Sequence, residues 1–225
     1  MKFESITMEN FMRYKGRNHI EFSCDDVKNV TVVLGDNTVG KTTIAQAFRW
    51  GLYGALMANG TKSAGDFQLL NTDILEMMDA NSRAKVKVEI AAVDEEKRYI
   101  ITRETTYTRA FPKLESREFQ KKCAMRITEL EDMESYVEVD SNEIETLINE
   151  LFPKNLSHYF LFDGERWNDV SVGGVRENIK ESVHILTGLS AYREAKNHLK
   201  DMGSNSVIKK FRSEIKGSGA VYDNL

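Results

Sequence analysis

Residues 35–42 read Gly35-Asp36-Asn37-Thr38-Val39-Gly40-Lys41-Thr42, which fits the spacing G-x-x-x-x-G-K-[ST]. No other stretch constrains the chain as tightly. Residues 30–34 (Val-Thr-Val-Val-Leu) before it form a short β-branched apolar run, suited to a buried parallel strand. Residues 43–56 after it carry Ile44, Ala47, Phe48, Leu52 and Ala55 along one helical stripe. Strand, glycine loop and helix are the context in which this spacing cradles phosphate. Gly35 and Gly40 let the backbone turn tightly and aim its N–H groups at phosphate oxygens. The helix N-terminus adds positive dipole at the same place. In such a loop Lys41 reaches the β- and γ-phosphates of a nucleotide, and the Thr42 hydroxyl sits on Mg²⁺. The spacing therefore predicts a nucleotide site for ATP and Mg²⁺.

Bulk composition narrows the class without naming a partner. A chain of 225 residues with 41% hydrophobic and 29% charged residues can bury a proper core. A net charge of −4 gives no whole-molecule attraction to nucleic acid. Cys24 and Cys123 lack C-x-x-C spacing, as free thiols of a reducing cytoplasm would. No signal-peptide pattern and no apolar run of 18 residues is present, so a cytoplasmic protein with no membrane partner is expected. The four histidines form no metal-ligand cluster.

Along the chain, residues 2–8 suit a strand, 10–17 a loop or turn and 19–22 a second short strand. Residues 57–64 read as loop and 66–78 as short helix and turn. Val86, Val88 and Ile90 alternate with Lys85, Lys87 and Glu89, and Tyr99, Ile101, Arg103, Thr105 and Tyr107 return after the turn at 94–97. That is a hairpin half exposed to water. A further strand falls within 124–130. Asp140 and Glu143 stand at capping-box spacing ahead of a helix carrying Ile144, Leu147, Ile148 and Leu151, ended by Pro153. Residues 156–162 suit a buried central strand that stops at Asp163-Gly164. Helices follow at 175–186 and 191–202, and 203–225 turns polar, as the foot of an extended helix or a loose tail. Asp163, just past a strand end, could hold Mg²⁺ or simply form an Asp-Gly turn, and pattern alone leaves both open.

Three stretches taken together carry a resemblance. They are Met8-Glu9-Asn10-Phe11-Met12-Arg13-Tyr14, the P-loop spelled Gly-x-Asn-x-x-Gly-Lys-Thr-Thr, and Tyr159-Phe160-Leu161-Phe162-Asp163-Gly164-Glu165. In this order the chain resembles the amino-terminal half of SMC-like ABC ATPases of the SbcC, RecF and DndD types, the last group serving in anti-phage defence. The resemblance covers about residues 1–202, with 203–225 where a coiled coil would begin. It implies an α/β P-loop NTPase head lobe carrying an antiparallel β region, with C-terminal helices leading toward that coil. It also implies that Arg13 contacts nucleotide phosphate and that Asn37 and the backbone through Thr43 cradle phosphates. Asp163, within a Q-loop-like segment at 160–166, would stand where many members place the glutamine that meets Mg²⁺ and the attacking water. Lys41 and Asp163 are thus the expected catalytic groups, and Thr42 and Asp163 the expected metal contacts. Two departures from the pattern stand out. Thr38 replaces a common glycine, and Asp163 puts an anion where a neutral amide is usual.

No L-S-x-G-[GQ] signature, no Walker B strand ending in Asp-Glu and no switch histidine occurs after residue 166. In the family these belong to a C-terminal half beyond the coiled coil. The chain is therefore expected to be a piece of a longer protein or one half of a split head, binding ATP better than it hydrolyses it. The partners implied are that C-terminal half, a second head, DNA, and a nuclease or sensor subunit. The function implied is ATP-driven head dimerisation in DNA repair or anti-phage defence. Other readings are a non-hydrolysing interaction module and an ABC transporter ATPase fragment. A kinase or GTPase is disfavoured because no N-K-x-D sequence is present.

Overall fold

A computed structural model describes residues 1–36, 39–56, 68–80, 82–94, 96–110, 115–154, 157, 161 and 196. The chain divides into two units, Met1–Gly164 and Glu165–Leu225. Of the second unit only Lys196 is described, and it is helical. The helices expected at 175–186 and 191–202 and the tail at 203–225 otherwise lie outside the described residues.

The first unit is built on a six-stranded antiparallel sheet. Its strands are β1 (Lys2–Phe11), β2 (Tyr14–Glu21), β3 (Arg83–Asp94), β4 (Lys97–Ala110), β5 (Glu115–Glu129) and β6 (Asp132–Glu138), in the order β2-β1-β3-β4-β5-β6. The helices are α1 (Lys41–Tyr53), α2 (Thr72–Met77) and α3 (Ile144–Leu151).

Strand register sorts the side chains by chemistry. Ile20, Ile6, Ile90, Ile101 and Met125 align across five strands and make the apolar row on which α1 packs. The alternate row on the opposite face reads Arg17, Glu9, Lys87, Glu104 and Lys122. Its charges alternate in sign at every step, so neighbours across the strands attract. One face buried and one charged is what the alternation at 85–90 predicts.

The apolar stripe of α1 is buried as its period requires, with Ala47 and Leu52 at 0% exposure. Gly51 lies at closest approach to the sheet, where a Cβ would stand 2.6 Å from the Ile90 Cδ1. The C-terminal end of the helix is held by Arg103 on β4. Its Nε donates to the Gly51 carbonyl at 3.2 Å, and its Nη2 donates to the Leu52 carbonyl at 3.1 Å and to Glu145 Oε1 at 2.8 Å. A guanidinium satisfies the last carbonyls of a helix and complements its dipole. Arg103→Ala is expected to lower stability by about 1–2 kcal/mol, or roughly 3–6 °C in melting temperature. A thermal melt unchanged within 1 °C would show that the cap contributes nothing, about 1 kcal/mol being worth 2–4 °C in a unit of this size.

Several expectations need correction. The loop or turn expected over 10–17 shrinks to Met12 and Arg13, and the residues on either side are strand. β1 and β2 form a hairpin whose turn is Met12 and Arg13, with Asn10 (φ 52°) and Met12 (φ 49°) in the left-handed region. The Asn10 side chain locks this turn, accepting from the Gly16 N–H at 3.0 Å and donating to the Lys85 carbonyl at 3.1 Å. Residues 30–34 form no strand and are exposed, with Leu34 at 87% and Val30 at 77%. β-branched residues favour extended backbone, but a buried strand needs neighbours to pair with, and none is present among the described residues. The capping box does not form. α3 starts at Ile144 with Glu143 as an N-cap lacking a side-chain bond, while Asp140 Oδ1 instead accepts from the Asn142 N–H at 2.8 Å. Within 156–162, Ser157 is helical and the Leu161 N–H donates to the Ser157 carbonyl at 2.8 Å. At these two residues the backbone makes a helix-type bond where a strand is expected, a short apolar run suiting either form, and the rest of the run lies outside the described residues. β5 begins well before residue 124, and β6 adds an unexpected edge strand.

Candidate nucleotide site

The N-terminus of α1 is shaped by two glycines and one lysine. Gly40 is the N-cap, with φ 112°, a conformation that L side chains rarely adopt. It offers no side chain to the helix, and no acidic residue stands in the first turn. Among the described residues the first amides of the helix have no intrahelical or side-chain acceptor, and a helix start of this kind favours an anion. Lys41 Nζ donates to the carbonyls of Gly35 and Asp36, both at 2.6 Å. The ammonium is thus held inside the curve of the loop. Thr42 is exposed at the first turn and its hydroxyl is accessible, whereas Thr43 is buried and ties the turn to the core. Gly35, Asp36 and Val39 are exposed along the rim. Asn37 and Thr38 lie outside the described residues, as does Asp163.

The β1–β2 turn is brought against this loop. Tyr14 OH donates to the Gly40 carbonyl at 3.3 Å, and a Cβ on Gly40 would meet the Tyr14 ring at 3.4–3.5 Å. Burial pushes the Tyr14 hydroxyl above its ordinary pKa, so it stays a donor at neutral pH. Arg13, immediately before Tyr14, is exposed at the tip of the same turn. The turn is anchored from behind by residues 69–71. The Met12 N–H donates to the Leu69 carbonyl at 2.6 Å, and the Asn71 N–H donates to the Asn10 carbonyl at 2.9 Å. Asn71 Nδ2 donates to the Met12 carbonyl at 2.7 Å, while Asn71 Oδ1 caps α2 by accepting from the Asp73 and Ile74 N–H groups. One asparagine therefore fixes both the helix start and the turn carrying Arg13.

Sequence reasoning missed Tyr14 and Asn71. Tyr14 was visible within the opening motif, but only the fold shows it meeting Gly40. Asn71 followed by Asp73 before an apolar residue is an N-cap signal that the short helix obscured.

The residues present fit a nucleotide triphosphate. Uncapped amides, a glycine at φ 112° and a lysine ammonium converge on one point, and that set of donors matches phosphate oxygens. Mg²⁺ commonly keeps several waters and takes few protein ligands. Among the described residues no group of three His, Cys, Asp or Glu is placed to hold a metal. A separate cavity of about 680 Å³ lies at the C-terminal end of α1, lined by Trp50, Gly54, Arg103, Tyr107, Lys121 and Cys123. It is at the opposite end of the helix from Lys41, and its lysines and arginine are interleaved with Glu115 and Glu118.

The AAA domain profile matches residues 5–216, nearly the whole chain. The chain belongs to the AAA domain family. It is thus a P-loop ATPase-type domain, and the antiparallel sheet is part of that domain here. A solved chain from work on the ATP-driven dimerization and DNA stimulated activation of SMC ATPases is similar with a TM-score of 0.47 and 16% identity. The similarity covers 80% of this chain and 96% of that one. Likeness at that level says nothing about activity. No curated protein matches the chain. Among the described residues no helix is long and apolar enough to cross a membrane.

Proposed function

We propose that this AAA domain is the ATP-binding lobe of an SMC-like, DNA-associated ATPase, in which bound ATP draws two heads together and so gates DNA or a partner effector. The observation that carries the ATP part is the convergence of Gly40, Lys41 and the open first turn of α1 on one phosphate-sized point. Lys41 and the amides from Gly40 through Thr43 would hold the β- and γ-phosphates, Thr42 would meet Mg²⁺, and Arg13 would add charge from the β1–β2 turn. When bound, the metal would neutralise the developing phosphate charge. Asp163 would be this chain's acidic contribution to it.

The composite part rests on residues 30–34. Val30, Val32, Val33 and Leu34 are 43–87% exposed, directly before the phosphate loop. Contiguous exposed apolar residues mark a surface that meets another protein surface. A strand from the C-terminal half of the head fits there, and that half would also bring the catalytic carboxylate. On this reading the lobe alone binds ATP and turns it over slowly. The opening motif with Arg13 and Tyr14, and the 159–165 motif, favour the SMC-like and DndD-type assignment over a transporter subunit.

Sedimentation of the head, reconstituted with its C-terminal half, tests the proposal. ATP with Mg²⁺ is expected to shift it to a dimer, and ADP is expected to leave it monomeric. A head that stays monomeric with saturating ATP and Mg²⁺ would sink the gating model.

A further inference from the structure

The Gly40 carbonyl accepts two hydrogen bonds. The Ile44 N–H donates to it at 3.3 Å, which opens the bonding ladder of α1, and the Tyr14 hydroxyl donates to it at 3.3 Å from the β1–β2 hairpin. A backbone carbonyl has two lone pairs, and here both are engaged. The peptide unit that carries this oxygen also carries the Lys41 N–H, and across a trans peptide the two point in opposite directions. An oxygen held from two sides, by the helix and by the hairpin, therefore fixes the Lys41 N–H outward, off the open start of α1. Gly40 needs such a restraint. Its backbone has the widest conformational freedom of any residue, and it brings no side-chain cap of its own. The Tyr14 ring closes over it, since a Cβ on Gly40 would stand 3.4 Å from the hydroxyl oxygen and 3.5 Å from two ring carbons.

Tyr14 is itself held rigidly. It opens β2 and pairs with Phe11 across the turn. Phe11 is fully buried, packs on Trp50 of α1 and bridges to Leu70. The Asn10 side chain ties the turn to Gly16 and to β3, and the Asn71 side chain ties it to the start of α2. The hairpin end is thus a stiff arm, rooted in the core, whose tip rests on the N-cap of the helix that presents Lys41 and Thr42.

We propose that Tyr14 is a positioning residue of the phosphate site, which clamps the Gly40 carbonyl and so presets the Lys41 amide to meet a phosphate oxygen. The proposal rests on the reading above that this loop takes the phosphates of ATP. Tyr14 acts through the Gly40–Lys41 peptide unit and not by touching the ligand. Its effect is therefore on phosphate affinity, and it is the same whether or not a nucleoside is attached.

The test titrates the full chain and its Tyr14→Phe variant with ATP and with inorganic tripolyphosphate, alongside thermal melts. Phenylalanine keeps the ring and removes only the hydroxyl. Tyr14→Phe is expected to weaken both ligands by the same factor, about fivefold, the scale of one neutral hydrogen bond. The melting temperature should move by no more than about 2 °C, because the Ile44 N–H still satisfies the carbonyl. In the ligand-free variant the Lys41 amide resonance should shift, while the amides of Leu69, Leu70 and Asn71 stay in place. Unchanged affinity for both ligands overturns the proposal, and so does an unmoved Lys41 amide. A loss for ATP alone overturns it as well, because Tyr14 would then act on the base or sugar. Affinities that fall in step with the melting temperature overturn it in favour of a purely structural role. A chain that binds neither ATP nor tripolyphosphate would overturn the nucleotide reading, and this inference with it.

Discussion

Lys41→Ala is expected to weaken ATP binding by at least about 100-fold, or roughly 2.7 kcal/mol, while leaving the fold intact. On the proposed reading the ammonium would contribute charge-assisted hydrogen bonds to the β- and γ-phosphates, each worth about 1.5–3 kcal/mol where donor or acceptor is ionised. In the structure its donors rest instead on the Gly35 and Asp36 carbonyls, so the amine is already inside the loop before nucleotide arrives. The residue is exposed, and its removal leaves no cavity in the core. Stability should therefore change by no more than about 0.5 kcal/mol. Titration calorimetry with ATP, set beside thermal melts, separates the two effects. A Lys41→Ala variant that binds ATP as the parent does would remove the loop from the account. One that loses binding only because it unfolds would leave the question to Lys41→Arg, which keeps the charge.

Phe11→Ala is the substitution expected to cost the fold most, about 3–5 kcal/mol. Phe11 is fully buried at the end of β1, with its ring centroid 5.6 Å from that of Trp50 on α1, and it bridges to Leu70. Truncation opens a cavity between the sheet, the helix and the 69–71 segment, and it removes an aromatic pair worth about 0.5–1.5 kcal/mol by itself. Domains of this size hold only about 5–15 kcal/mol in total. Because Phe11 precedes the turn that carries Arg13 and Tyr14, the loss should also loosen the contact of Tyr14 with Gly40. Urea denaturation measures the stability term. A loss below 1 kcal/mol would mean that the hairpin is not anchored by this packing, since buried Phe→Ala costs several times that.

What could be read from the sequence follows physical lines. The P-loop helix was legible because its apolar residues recur with the helical period and its start is a glycine-lysine motif with one geometry. The 83–110 hairpin was legible because one of its faces is wet and the other dry, so the alternation is printed in Val86, Lys87, Val88 and Glu89. Where neighbours decide, the reading failed. Residues 30–34 have strand composition but no strand to pair with among the described residues. Ser157 and Leu161 lie in a run that suits either helix or strand, and their carbonyls are held by Arg49, more than a hundred positions away. The first half of β5 shows no alternation because most of residues 115–122 are exposed on both sides. The β1–β2 turn was legible only as a longer loop or turn, because left-handed Asn10 and Met12 do the work of glycines and leave its two-residue length unmarked.

The site was half legible. Gly35, Gly40, Lys41 and Thr42 follow from spacing alone. The role of Tyr14 needed the fold, because 26 residues separate it from the carbonyl it holds.

The most direct test of the account is where Mg²⁺–ATP touches the chain. Backbone amide shifts, recorded by NMR on the labelled protein during titration with ATP and Mg²⁺, report this residue by residue. The account expects the largest changes at Gly35, Gly40, Lys41, Thr42 and Thr43, with smaller ones at Arg13 and Tyr14. Saturable changes centred elsewhere, for example on Arg103, Tyr107 and Cys123 around the far cavity, with the loop amides unmoved, would contradict it.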